Sequence, residues 1–209
     1  MKYTISILKT RSGRRFDQFY DIYESSLPTR ERKNRSEITD LIERDDYIVL
    51  LLEDESDVFA FSIVFASDEG EISLLEYMAT HQNYRNRGLG AATFKASLAS
   101  VPGCPMLVEV DSERENSPDR LMRMRRKGFY RRQGCHQIGG LHYILPLPGN
   151  GKVPEMDLLV HLNGRVTPIK KPDLRRWLDT IYTKVYCCEP NDDRIATMLR
   201  TQGDPVILV

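Results

Sequence analysis

The stretch "EYMATHQNYRNRGLGAATF", residues 76–94, sets two arginines and two glycines within six positions, between an apolar run and an Ala-rich run. Glycine leaves backbone N–H groups free to face a ligand without a Cβ in the way. The run that follows, "LGAATFKASLAS" (89–100), has small and helix-forming residues, and a helix start adds unpaired donors and the positive end of a dipole. A phosphate or pyrophosphate suits such a turn, and Arg85 and Arg87 can add charge-assisted bonds to its oxygens. Two better-known phosphate loops fit poorly. A dinucleotide fingerprint wants a third glycine where Thr93 sits, and a P-loop wants Gly-Lys-Ser/Thr after its glycines. The plain alternative is a charged strand-to-helix turn that holds nothing.

Outward from this stretch the chain reads as alternating elements. "YTISIL" (3–8) alternates as a first strand. "RRFDQFYDIYESSL" (14–27) places Phe16, Phe19, Tyr20 and Tyr23 at helical spacing, and Pro28 stops it. "TRERKNRSEITDLIER" (29–44) reads as a second helix with an Ile38, Leu41, Ile42 stripe. "YIVLLLE" (47–53) and "VFAFSIVFA" (58–66) form a hairpin across "DESD", and "EISLLEYMA" (71–79) is the strand that enters the loop. "PMLVEVD" (105–111) is a further strand. "NSPDRLMRMRRKG" (116–128) has helix marks: Ser117 as N-cap, Pro118 at the first position, Gly128 past the end. "HYILPL" (142–147) and "EMDLLVHL" (155–162) are expected as late strands, with helical signals in 171–186 and 192–200. Pro172 opens the first of these, and Leu174, Trp177, Leu178, Ile181 and Tyr182 form its apolar stripe. The terminal "DPVILV" is suited to an edge strand or to exchange between subunits. "PLPGNGKVP" (146–154) is the linker candidate, dividing a core over 1–150 from an extension over 151–209 packed on it or on a partner subunit. The fold class is therefore α/β (α+β).

The 209 residues are enough for one domain with an extension. Thirty basic residues balance thirty acidic ones, and no aromatic residues interleave with a basic patch, which argues against nucleic acid. No stretch approaches the ~20 apolar residues of a membrane helix, and the amino terminus lacks the marks of a signal peptide. Cys104, Cys135, Cys187 and Cys188 have no metal spacing, nor do His81, His136, His142 and His161, so no metal is expected. The thiols read as free, in a cytoplasmic protein.

With these elements in place the sequence resembles the GNAT superfamily of acetyl-coenzyme A-dependent N-acetyltransferases. The family motif Arg/Gln-x-x-Gly-x-Gly/Ala after the fourth strand is matched by Arg85, Gly88 and Gly90, and the likeness in element order runs from about residue 3 to 145. The resemblance implies a twisted, mixed and mainly antiparallel sheet flanked by helices. It implies that the amides of Arg87, Gly88, Leu89, Gly90 and Ala91, with Arg85 and Asn86, cradle the coenzyme A pyrophosphate. It also implies that the pantetheine arm runs beside Met78, Ala79 and Thr80.

Transfer to an amine needs a base, a stabilised carbonyl oxygen and a protonated leaving thiolate. Relatives often carry a base where Glu76 lies, on the strand entering the loop. Glu109, on the neighbouring strand, and Glu31 are substrate-binding candidates, although a solvated carboxylate is the plain reading of each. The family's acid is a tyrosine in the pattern Leu-Tyr-x-x-x-Gly-Phe. Here Gly128 and Phe129 match, but Met124 stands at the tyrosine position, and methionine has no proton to give. Tyr143 is the candidate substitute, ahead of Tyr84 and Tyr130, and a structural hydrogen bond is its plain alternative. Ser117 aligns with a coenzyme-binding asparagine of the family. The basic run from Arg120 to Arg132 reads as a solvated helix face or as a landing site for an anion. The expected activity is acetyl transfer from acetyl-CoA to a primary amine of a small molecule, with a possible homodimer. The alternatives are a coenzyme A-holding regulatory module without transfer, and a longer-chain acyl or protein-modifying relative.

Overall fold

The computed structural model describes residues 2–68, 70–147, 154–165 and 168–209, with the side chain of Arg30 not described. Most of the linker candidate, at 148–153, lies outside the described residues. The chain forms two compact units, Met1–Pro102 and Gly103–Val209. Residues 103–150 and 151–209 thus fall in the same unit.

In the first unit, β1 (Thr4–Ile7), β2 (Tyr47–Glu53), β3 (Val58–Ala66) and β4 (Ser73–Thr80) pair antiparallel in that order. The "DESD" hairpin forms as read, with Asp54 accepting from the backbone N–H groups of Ser56 and Asp57. Successive β3 residues face opposite ways. Phe61 meets Phe19 of α1 (Arg14–Ser26) edge to face, with centroids 5.0 Å apart. Its neighbour Ser62 accepts at 2.7 Å from the hydroxyl of Ser97 of α3 (Leu89–Ser100), so helices cover both faces of the sheet. The second helix is shorter than expected: α2 covers Arg35–Glu43, after a single 3-10 turn at Thr29–Glu31. Asn34 stops helix formation backward, because its side chain accepts from Glu37 N–H while the Glu37 carboxylate accepts from Asn34 N–H.

In the second unit, β5 (Met106–Asp111) and β6 (His136–Gln137) pair antiparallel with opposite edges of β7 (Met156–His161). The carboxyl terminus adds to the free side of β6: Gln137 and Val209 exchange both backbone hydrogen bonds, and Gly139 N–H donates to Ile207. Of "DPVILV", residues 207–209 thus lie beside β6 through one isolated bridge at Leu208, without a regular strand. The helices are α4 (Arg120–Arg132), α5 (Lys171–Lys184) and α6 (Asp193–Leu199). The α5 stripe Leu174, Trp177, Leu178, Ile181 and Tyr182 is buried, as its spacing predicts.

Two expectations fail here. "HYILPL" is not a strand; Tyr143 makes one isolated bridge to Met156. The next N–H, of Ile144, turns instead to the Met198 sulfur, and Pro146 has no N–H to give. α4 starts after Asp119 rather than Ser117, and it runs through Gly128 to Arg132. Its left-handed exit is Gly134, at φ 91°.

Candidate functional site

β4 is irregular at one position. Tyr77 stands opposite Ile63 and Leu75 opposite Val64, so Glu76 is an extra residue with no partner on β3. Such a bulge kinks the strand and re-aims a side chain. Here it turns Glu76 inward to a side-chain exposure of only 4%. Lys33, between the 3-10 turn and α2, donates from Nζ to Glu76 Oε1 at 2.5 Å. Oε2 is buried and has no hydrogen-bond partner among the described residues.

Three tyrosines close around this pair. The Tyr77 hydroxyl donates to the Glu31 carbonyl at 2.9 Å, and the Tyr23 hydroxyl accepts from Lys33 N–H at 2.7 Å. The Tyr23 and Tyr77 rings meet edge to face at 5.2 Å, and Lys33 Nζ lies 5.8 Å from the Tyr77 centroid. Burial pushes the Tyr23 phenol up to about 12, against the lowering pull of its hydrogen bond from Lys33. Burial, and next the charge of Glu76, raise Tyr47 and Tyr77 as well. All three phenols stay protonated at neutral pH. Glu31 enters through its backbone carbonyl.

Beyond the bulge, Met78, Ala79 and Thr80 resume pairing with Ser62, Phe61 and Ala60. The loop then turns on two left-handed residues, Asn86 at φ 61° and Gly88 at φ 79°. Asparagine tolerates that region and glycine adopts it freely. Gly88 is the N-cap of α3, with no side-chain cap, and a Cβ placed on it would meet nothing within 4 Å. The helix-start amides of Leu89, Gly90 and Ala91 follow at the end of α3 that has no side-chain cap. Leu89 anchors the turn, buried with Leu52, Phe59 and Ala60. Arg85 Nε donates to the Thr80 carbonyl at 3.3 Å, and the Arg87 guanidinium lies 5.4 Å from the Tyr84 ring centroid. An exposed backbone cradle flanked by two arginines suits a pyrophosphate.

In the second unit Glu109 is half-buried and accepts hydrogen bonds from the hydroxyls of Tyr143 and Tyr186. Tyr143 is buried, and burial followed by the Glu109 charge raises its pKa well above the ordinary phenol value. The Ser117 hydroxyl bonds Asp119, and Met124 is 48% exposed. The basic run is not a uniform solvated face. Lys127 is buried against Asp157 at 2.5 Å, Arg123 bridges Glu115 and Asp119, and Arg126 reaches Asp111 at 3.0 Å.

Lys33, Tyr23, Tyr47, Tyr77 and Tyr186 were not singled out as site residues in the sequence. Tyr23 had a helical stripe to explain it and Tyr77 a strand, while Lys33 sat in a charged segment with nothing to mark it. No group of residues suited to a metal ion occurs among the described residues, and no helix there is long and apolar enough to cross a membrane.

Neither a family model nor a curated protein matches the chain in sequence. Solved structures do match it in fold. An acetyltransferase of the GNAT family from Bacteroides thetaiotaomicron superposes with a TM-score of 0.68 at 22% identity, over 83% of this chain and 93% of its own. An aminoglycoside 6′-N-acetyltransferase complexed with coenzyme A gives 0.60 at 14% identity, over 78% and 99%. The ribosomal-protein-S18-alanine N-acetyltransferase of Escherichia coli gives 0.55 at 17%, over 76% and 92%. The chain has the GNAT fold, a mainly antiparallel sheet flanked by helices.

Proposed function

We propose that the protein is a coenzyme A-dependent acyltransferase that acetylates a primary amine of a small molecule. The observation that carries this reading is the uncapped start of α3, opened by left-handed Gly88 directly after the bulged strand. The neighbour complexed with coenzyme A supports the choice of ligand. The amides of 87–91 would hold the pyrophosphate, with Arg85 and Arg87 beside it. When bound, acetyl-CoA supplies an activated carbonyl carbon. Glu76, re-aimed by the bulge, would bind the incoming ammonium and take its proton. Tyr143 would be the proton donor to the leaving thiolate, exchanging its present acceptor, Glu109, for the sulfur.

Titration with isotope-labelled acetyl-CoA tests the cradle directly, and no binding at millimolar concentration would sink the reading. Glu76→Gln is expected to lower turnover by roughly 10²–10⁴-fold with binding of acetyl-CoA kept; full turnover across pH removes the base. Met124, which has no proton to give, favours one second reading, a module that holds coenzyme A without transfer. Acetyl-CoA binding with no acetylated product over a broad amine panel would select it.

A further inference from the structure

Glu76 is an unusual carboxylate because it is half used. A carboxylate accepts hydrogen bonds on both oxygens, yet Lys33 reaches Oε1 alone, Tyr47 acts on the carboxylate closely enough to have its own pKa raised, and Oε2 is buried with no hydrogen-bond partner in bonding geometry among the described residues. A buried acceptor left unpaired is costly, so most are filled. Its surroundings, three phenol rings and one carboxylate, are what a cation needs: negative ring faces and a formal charge shielded from water. The cation present is the chain's own. Lys33 is also held by its backbone, through Tyr23 and next to the capping of α2 at Asn34, so its place does not depend on the side-chain contact alone. The side chain is 25% exposed against 4% for Glu76, so Lys33 lies on the solvent side of the carboxylate it bonds.

We propose that Glu76 and Tyr23, Tyr47 and Tyr77 form a binding site for a primary alkylammonium group, and that Lys33 occupies it in the resting protein as an internal competitor. An acceptor enters by displacing Lys33 from Oε1 and gains Oε2 as a second acceptor. This deepens the acyltransferase reading by naming the acceptor as an aliphatic ammonium, and it rests on that reading only for what happens to the acceptor afterwards. Lys33 is then a specificity-determining residue: it favours ligands that carry both a charge and N–H donors, and it weakens every ligand by the fraction of time it fills the site.

The test is calorimetric titration of butylammonium chloride, without acetyl-CoA, into the wild-type protein, Lys33→Met, Lys33→Arg and Glu76→Gln. Lys33→Met keeps the stem and removes the competitor, so butylammonium should bind it about tenfold more tightly than wild type. Lys33→Arg places a planar fork that can hold both oxygens, so binding should weaken below wild type. Glu76→Gln should abolish it. Equal affinity in wild type and both Lys33 variants overturns the proposal, as does no binding to any folded form. Should Lys33→Met not fold, wild type against Lys33→Arg still decides. A chain that binds butylammonium in this order but no acetyl-CoA keeps the ammonium site and loses the acyltransferase reading; the converse loses the ammonium site alone.

Discussion

Two buried carboxylate–lysine pairs, one in each unit, look alike by distance and differ in everything around them. Lys127 meets Asp157 at 2.5 Å, and Lys33 meets Glu76 at 2.5 Å. Asp157 is fully buried with both oxygens taken: Gln137 and Arg114 donate to Oδ1 and Lys127 to Oδ2. Glu76 has one oxygen taken and one empty. The first pair is a closed network that fixes α4 on β7. The second leaves an open valence at a strand bulge. Burial and distance alone do not separate the two pairs; they differ in how many donors reach the carboxylate.

The largest expected effect breaks the closed pair. Lys127→Met should destabilise the protein by about 3–5 kcal/mol in chemical denaturation, because Glu113 and Asp157 Oδ2, which water does not reach, both lose their cation. Lys33→Met also leaves a carboxylate without its donor, but that donor's side chain is 25% exposed, so water can follow it in and the cost should be smaller; an equal cost would erase the contrast between the two pairs. Alkaline pH probes the open pair next. Tyr23 titrates near 10 unfolded and about 12 folded, so the stability it contributes is complete below pH 10 and is lost as pH rises through about 12. That loss is about 3 kcal/mol. Ultraviolet tyrosinate absorbance followed with unfolding over pH 9–12 should show it, and Tyr23→Phe should flatten that part of the profile. The smallest effect separates cradle from carboxylate. Gly88→Ala meets open space but a left-handed φ, so it should cost about 1–2 kcal/mol and weaken acetyl-CoA while leaving butylammonium affinity unchanged. A loss of both ligands would tie the loop to the ammonium site.

Legibility in the sequence followed the range of the interaction. The hairpin at 54–57, the α5 stripe and the glycine turn before α3 are each set by residues within a few positions, through periodicity, local side-chain hydrogen bonds and left-handed conformations. Where local signals compete, a neighbouring one decides. Ser117 and Gly128 resemble helix ends, but Asp119 and Gly134 occupy them, and the Asn34–Glu37 capping box sets the start of α2. "HYILPL" has strand composition, but whether its N–H groups join a ladder depends on partners elsewhere, and Ile144 found Met198, 54 positions away.

The sequence by itself determined a turn able to hold a phosphate, a strand carrying Glu76 into it, and an alternating α/β order, because each is short-range chemistry. Only the tertiary structure decided that Glu76 is the bulged residue, that Lys33 reaches it across 43 positions, and that the carboxyl terminus closes the edge of β6. Those depend on register and on chain segments distant in sequence. A one-residue shift in strand pairing, invisible in composition, turns a solvated carboxylate into a buried one.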